Sequence, residues 1–303
     1  MSVRGVWKVL CVVTIVTPTY NRGKLLPHLY KSLCQQTVKD FQWLIIDDGS
    51  QDNTRAIVKS MSHALFPLEY YYKENGGKHT ALNYSHPYIK GDLVFIVDSD
   101  DTLASDAVET ILEDWQIYKN KKEIAVISYL KGSPDGSSIA HPTAPDYYIS
   151  THIDYRINHN IGGDMAEVIR ADAFKKYPLP VFQGERFMPE GWLWNLLSFH
   201  YKTVYRRKVI YYCEYLEGGL TKSGRKLRMH NPLGLMTHCK TFFNSKTSAK
   251  AQMKEMLLYG VYGFCAHKNI GDILSGSGRP WKLLPVIPFS LTLYLFWKRK
   301  YLS

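Results

Sequence analysis

Three carboxylates crowd one short stretch of the chain, Asp98-Ser99-Asp100-Asp101, directly after the apolar run Leu93-Val94-Phe95-Ile96-Val97. Packed so closely they repel one another unless something cationic sits among them. Hard oxygen ligands on a turn that follows a buried strand suit Mg²⁺ or Mn²⁺, ions that keep coordination sites free for substrate phosphates. The plainer alternative is an acidic helix start, with Asp101 or Thr102 capping a helix that begins near Ala104.

The segments around this turn alternate in character. Residues 9–16, 41–46, 68–72, 93–97 and 123–129 are strand-like, while 24–36 (with Leu25, Leu26, Leu29 and Leu33 at helical spacing), 53–62, 80–88 and 104–118 are helix-like. Such alternation predicts an α/β fold, a mostly parallel sheet with helices on both faces. In an open sheet of this kind the carboxyl ends of the strands line one crevice. The loops that would meet there are Thr17-Pro18-Thr19-Tyr20-Asn21-Arg22, Asp47-Asp48-Gly49-Ser50-Gln51-Asp52, Asn75-Gly76-Gly77-Lys78 and the acidic turn. A nucleotide fits them: Tyr20 to stack on a base, Asp48 to accept from its N–H edge, Gly76 and Gly77 to let backbone amides approach, and Lys78 or Arg22 for a phosphate. Taken singly, Asp48-Gly49 and Gly76-Gly77 are ordinary turn formers and Tyr20 is ordinary packing.

Taken together, Val13-Thr14-Ile15-Val16-Thr17-Pro18-Thr19-Tyr20-Asn21-Arg22, Gln35-Gln36-Thr37, Ile45-Ile46-Asp47-Asp48-Gly49-Ser50 and Val97-Asp98-Ser99-Asp100-Asp101 resemble a family 2 glycosyltransferase, in order and spacing over about the first 105 residues. Through Asn75-Gly76-Gly77-Lys78-His79-Thr80-Ala81-Leu82-Asn83 the chain resembles the bacterial capsular and surface-polysaccharide members. The resemblance implies a GT-A (Rossmann-like) fold, a nucleotide-sugar donor and inversion at the anomeric carbon. It also implies that Pro18, Tyr20 and Asp48 hold the base, with Thr19, Asn83 and Ser99 on the donor side. Asp98 would face the ribose or the metal, and Asp100 would be the main ligand of a divalent ion on the donor diphosphate. The family commonly carries a Glu-Asp pair at a later helix start, its second member the base; here Gly191 stands second, leaving Glu190 as first candidate and Glu185 as the next. Trp192 and Trp194 are candidates for an acceptor platform or for core. UDP is the commonest nucleotide in the family, with GDP and dTDP open, and the polysaccharide branch uses polyprenyl-linked acceptors.

Beyond this half the signals thin. Between Gly132 and Asp164 periodicity is lost, with a turn expected at Pro134-Asp135-Gly136; Gly162-Gly163-Asp164 reads as a turn or as backbone close to a sugar hydroxyl, with Asp164 a donor-side candidate. Residues 217–231 are basic and glycine-punctuated, either a loop that closes over the diphosphate through Arg228 or His230 or an exposed solvated loop. Residues 281–303 combine an apolar run with Lys298-Arg299-Lys300; 283–297 is too short to span a bilayer and carries Pro285 and Pro288, so it is expected to lie in an anionic membrane interface, or else to be a buried terminal helix. The expected division is a glycosyltransferase domain over 1–215 (donor half about 9–130, acceptor half about 131–215), a basic and helical extension over 216–280, and the tail.

Of the 303 residues, Lys and Arg number 38 against 27 Asp and Glu, a net charge of +11 that implies an anionic partner. Five scattered cysteines without CxxC spacing indicate neither a disulfide framework nor a zinc site, and no cleavage pattern follows the N-terminal apolar run, so a cytoplasmic protein peripheral on the inner membrane face is expected. The rival classes are a nucleotidyltransferase, weakened because neither GxxxxGK[ST] nor GxGxxG occurs, and a nucleic-acid binder, disfavoured because cations and aromatics form no recognised motif.

Overall fold

The computed structural model describes residues 11–61, 64–133, 137–213 and 220–301. Its first half is β1 (Val13–Thr19), α1 (Leu26–Cys34), β2 (Phe41–Asp47), α2 (Thr54–Ser60), β3 (Leu68–Tyr72), α3 (Lys78–Ser85), β4 (Leu93–Ile96), β5 (Thr102–Leu103) and α4 (Ala107–Tyr118). β6 (Ile124–Gly132), β7 (Tyr148–Ser150), a π-helical turn (Ile153–Asn158), β8 (Met165–Arg170), α5 (Ala171–Lys176), α6 (Gly191–His200) and β9 (Lys202–Tyr212) follow.

The main path of the sheet runs β3-β2-β1-β4-β8-β6-β9-β5, with β7 alongside β9. β3, β2, β1 and β4 are mutually parallel because helices or helical turns return the chain between them. β8 is antiparallel to β4 and β6, so its first residues lie beside the carboxyl end of β4. Side chains alternate between two cores: Val13, Ile15, Phe41, Trp43 and Ile45 pack with Leu26, Leu29 and Leu33 of α1, while Val16, Leu44 and Ile46 pack with Leu82, Leu193 and Leu197 on the other face. All seven residues of β1 and of β2 are buried, as two-sided cover requires.

The C-terminal helices are α7 (Leu220–Met229), α8 (Pro232–Lys240), α9 (Ala249–Cys265), α10 (Ile270–Gly276), α11 (Pro280–Leu283) and α12 (Ile287–Tyr301), and they share a core of their own. Two expectations change here. The basic segment is not an aperiodic loop from residue 220 on: it is α7, kinked at Gly224, with Met229 in the helical core and Arg225 stacked on Trp297 at 3.8 Å. Residues 217–219 of that segment, and the turn expected at Pro134-Asp135-Gly136, lie outside the described residues. The stretch 132–164 holds β7 and the π-helical turn, whose partners lie far along the chain. Among the described residues no helix is long and apolar enough to cross a membrane.

Candidate active site

The acidic turn leaves β4 at the rim of the crevice, and each of its carboxylates meets a different group. Arg22 Nη1 lies 2.9 Å from Asp100 Oδ2, and Lys78 Nζ lies 2.5 Å from Asp98 Oδ1. Lys78 also reaches Glu190 Oε1 at 2.7 Å, so one ammonium joins the donor-side turn to the start of α6. Burial works against the charge on Lys78, but Asp98 and Glu190 outweigh it and hold its pKa well above the ordinary value. For Asp98, burial opposes ionisation, and Lys78, Lys131 and Arg22 together reverse the balance and lower the pKa. Asp101 does not cap a helix: it accepts a 2.5 Å hydrogen bond from Tyr211 Oη, and burial pushes its carboxyl up to about 7. Tyr211 Oη in turn accepts from the Asp98 amide at 3.0 Å, which fastens the turn to β9.

The loops after β1 and β2 are stapled together. Asn21, at φ 51°, donates its amide to Ser50 Oγ and accepts from the Gln51 amide, while the Gly23 amide donates to Asp52. Left-handed backbone is where asparagine is tolerated, which explains Asn21. Pro18 and Thr19 are buried in β1, whereas Tyr20 stands exposed beyond it.

Asp48 differs from expectation. Its carboxylate is buried and accepts from Lys73 (2.6 Å), the Gly76 amide (3.0 Å) and the Gly77 amide (2.7 Å), so the amides expected to approach a ligand are spent on Asp48. Gly77 has its own reason to be glycine: at φ +95° a Cβ would stand 2.0 Å from the carbonyl oxygen of Arg186. The loop preceding α6 is thereby pressed against the donor half.

Several other candidates are engaged elsewhere. Both carboxylate oxygens of Glu185 accept amides at the start of α8, from Leu233 (2.6 Å) and Gly234 (2.8 Å); it is a buried cap rather than a base. Asn83 uses both ends of its amide on the backbone of Leu179. Arg228 is exposed on α7, and His230, just past its end, lines a cavity of about 500 Å³ with Glu185, Leu233, Cys265 and His267. Gly163, at φ +85°, makes its close approach to Ile139 and Ala140. Asp164 acts electrostatically on Glu167. Trp192 and Trp194 pack against the second core, and Trp194 also lines a recess with Glu167. Ser99 is buried.

Sequence reasoning missed Lys73, Lys131, Tyr211 and Glu167. Lys131 lies 4.1 Å over the Tyr211 ring and adds to the positive potential at Asp98. Lys131, Tyr211 and Glu167 sit in strands whose local pattern reports only burial; pairing at long range puts them at the crevice.

The family model described as Glycosyl transferase family 2 matches residues 14–177, more than half of the chain. A GalNAc(5)-diNAcBac-PP-undecaprenol beta-1,3-glucosyltransferase of Campylobacter jejuni is 31% identical over 107 residues, 33% of each chain. The matched stretches span only 32%, 41% and 51% of the length of the first curated relatives. Staphylococcus aureus TarS, solved with UDP-GlcNAc, superposes at a TM-score of 0.61 with 16% identity, over 93% of this chain and 80% of that one. The mannosyltransferase PcManGT of Pyrobaculum calidifontis, solved with GDP-Man and Mn²⁺, gives 0.58 with 18% identity over 95% and 83%. These likenesses establish the GT-A type of α/β fold. The match to the family model, carried by the strands and loops that build the crevice, assigns the sequence: the chain belongs to glycosyltransferase family 2.

Proposed function

We propose that the chain is an inverting, metal-dependent hexosyltransferase that moves a sugar from a nucleotide donor, UDP-linked by preference, onto a saccharide carried by a polyprenyl diphosphate. Lys78 carries this reading. Its ammonium touches Asp98 on the donor side and Glu190 on the acceptor side, so leaving group and nucleophile would be handled within one side chain's reach.

The acidic turn fits a divalent ion: Asp98 and Asp100 are each neutralised by a cation, the charge that such an ion would replace. Among the described residues no group of three His, Cys, Asp or Glu side chains is placed to hold a metal ion by itself, so Asp98 and Asp100 would hold Mg²⁺ or Mn²⁺ together with oxygens of the donor and of water. When bound, the ion supplies Lewis-acid stabilisation of charge on the departing nucleoside diphosphate. Arg22 and Lys78 are the protein's own cations for those phosphates. Exposed Tyr20 offers its ring to the base. Glu190 takes the proton of the acceptor hydroxyl, whose oxygen attacks the anomeric carbon as the bond to the diphosphate breaks on the opposite face. A donor resembling those solved with TarS and PcManGT, and an acceptor like that named for the Campylobacter enzyme, agree with this chemistry.

Work at the inner membrane face is supported by α11 and α12. Their inner side packs Leu283, Ile287 and Trp297 into the helical core, while Trp281, Phe289 and Phe296 are 84%, 69% and 60% exposed among Lys282, Lys298 and Arg299.

The test is release of nucleoside diphosphate from a panel of nucleotide sugars with Mg²⁺ or Mn²⁺. Release from one donor, stopped by chelator and by Asp100→Asn, is expected; pyrophosphate as product would overturn the class. Glu190→Gln should keep donor affinity and lose about 10²–10⁴-fold in transfer; normal turnover would remove Glu190 as the base.

A further inference from the structure

Glu167 takes no part in the chemistry above, yet it stands one residue beyond the Phe95–Val168 pair, beside the carboxyl end of β4. It is half-buried and, among the described residues, its carboxylate makes no hydrogen bond or ion pair. With Ser128, His152, Trp194 and Tyr205 it lines a recess of about 10 Å³. That volume holds one water or one hydroxyl group and nothing larger. Two further polar atoms near it lack partners, one of them on a guanidinium whose Nη2 already donates to the Gly163 carbonyl. Tyr205 is 3% exposed, and its hydroxyl lies beside Thr203 without a hydrogen bond of acceptable geometry; Arg156 Nη1 is buried and likewise unpartnered. Buried polar groups in native proteins are satisfied, so such a cluster calls for a hydrogen-bonding guest.

We propose that this recess is an acceptor subsite, taking a single hydroxyl of the acceptor sugar between Glu167 and Tyr205 with the Trp194 indole against the sugar's C–H face. The inference rests on the transfer to a saccharide proposed above and adds what selects that saccharide. A carboxylate that accepts, a phenol and a guanidinium that donate, and an indole wall are together the chemistry that recognises a sugar hydroxyl rather than a phosphate. The recess also lies toward the reacting side, since Glu167 stands beside the end of β4 from which the turn carrying Asp98 and Asp100 departs.

The charges facing Glu167 set a pH dependence. Burial is the largest influence and raises its pKa, Glu190 and Asp164 act the same way, Arg156 and Lys131 oppose them, and the carboxyl is pushed up to about 7; His152 is held neutral by burial and Tyr205 stays protonated. Below that pH the anionic acceptor is lost, so sugar affinity falls as the solution is acidified.

The experiment measures binding of the methyl β-glycosides of glucose, galactose, N-acetylglucosamine and N-acetylgalactosamine to the full chain with UDP and Mn²⁺. Wild type, Glu167→Gln and Tyr205→Phe are compared at about pH 6 and about pH 8, with UDP affinity on the same samples reporting an intact fold. At least one glycoside is expected to bind, about tenfold more weakly to Glu167→Gln and measurably more weakly to Tyr205→Phe. Its affinity should rise with pH in the wild type and not in Glu167→Gln. Variants that match wild type, a pH response that survives Glu167→Gln, or a wild type that binds UDP but none of the four glycosides would overturn the subsite alone. A wild type that binds none of UDP, GDP and dTDP would overturn the transferase reading and the subsite with it.

Discussion

Lys78 is where the two halves of the crevice meet, and its environment says why an arginine or a neutral residue would not replace it. A compact ammonium can contact Asp98 and Glu190 together, whereas a planar guanidinium favours one carboxylate in a bidentate pair. Lys78→Met leaves both carboxylates without their shared cation; the expected result is a fall in kcat/KM of about a hundredfold, measured by steady-state transfer. Lys78→Arg restoring full turnover would mean that charge alone suffices. The residues around Lys78 differ in how far the sequence revealed them. Asp98 and Asp100 were legible because a turn after an apolar run is a local pattern. Glu185 was misread because a carboxylate near a helix start looks the same whether it caps α8 or faces substrate, and the choice is made by α8 itself, whose amides it accepts.

At the scale of elements, the contact that matters is between the start of α3 and the loop leading to α6. Gly77 admits the Arg186 carbonyl where any side chain would overlap it, and it does so in left-handed backbone. Gly77→Ala is expected to cost at least about 2 kcal/mol, read as a lower urea midpoint, because strain and overlap add. Activity should fall with it, since the same loop carries Glu190. The terminal element raises a different issue: α12 is too integral to delete cleanly. Trp297 sits in the helical core under Arg225, so truncation would expose that core. Replacing Trp281, Phe289 and Phe296 together by serine instead alters only the outer face and should shift stability by less than about 1 kcal/mol. Sedimentation with phosphatidylglycerol vesicles should then be lost; undiminished sedimentation would remove the membrane role of this face.

For the whole molecule, the interface between the sheet and the C-terminal helices is closed by neutral imidazoles. Burial lowers the pKa of His152 to about 3, with Arg156 and His238 adding to it, and lowers that of His238 to about 4, with Arg228 and Lys254 adding. A Cβ on Gly191 would stand 2.9 Å from the His238 ring, so α6 and α8 meet with this imidazole between them. Both groups bind a proton in the unfolded chain near 6.5 and resist it when folded, so the unfolded state gains protons first on acidification. Their contribution to stability is therefore full above pH 6.5 and declines from there toward about pH 4, while the raised carboxyls of Asp101 and Glu167 act in the opposite sense, so the expected result is a His152→Gln urea midpoint that falls less, or rises more, than wild type's on acidification across that range. The sequence by itself determined the α/β class, the order of the strands that end in chemistry and the acidic turn among them. Each of those is written in short-range periodicity and in turns only a few residues long, whose physics is local. Tertiary structure alone decided that Lys78 would find Glu190, that Tyr211 would fasten Asp98 and Asp101, and that Glu167 would line a recess with Tyr205. These partners come together through the pairing of β8, β6 and β9, where register is set by burial of whole faces, and no local pattern in the chain records which polar residue such a register will bring to the crevice.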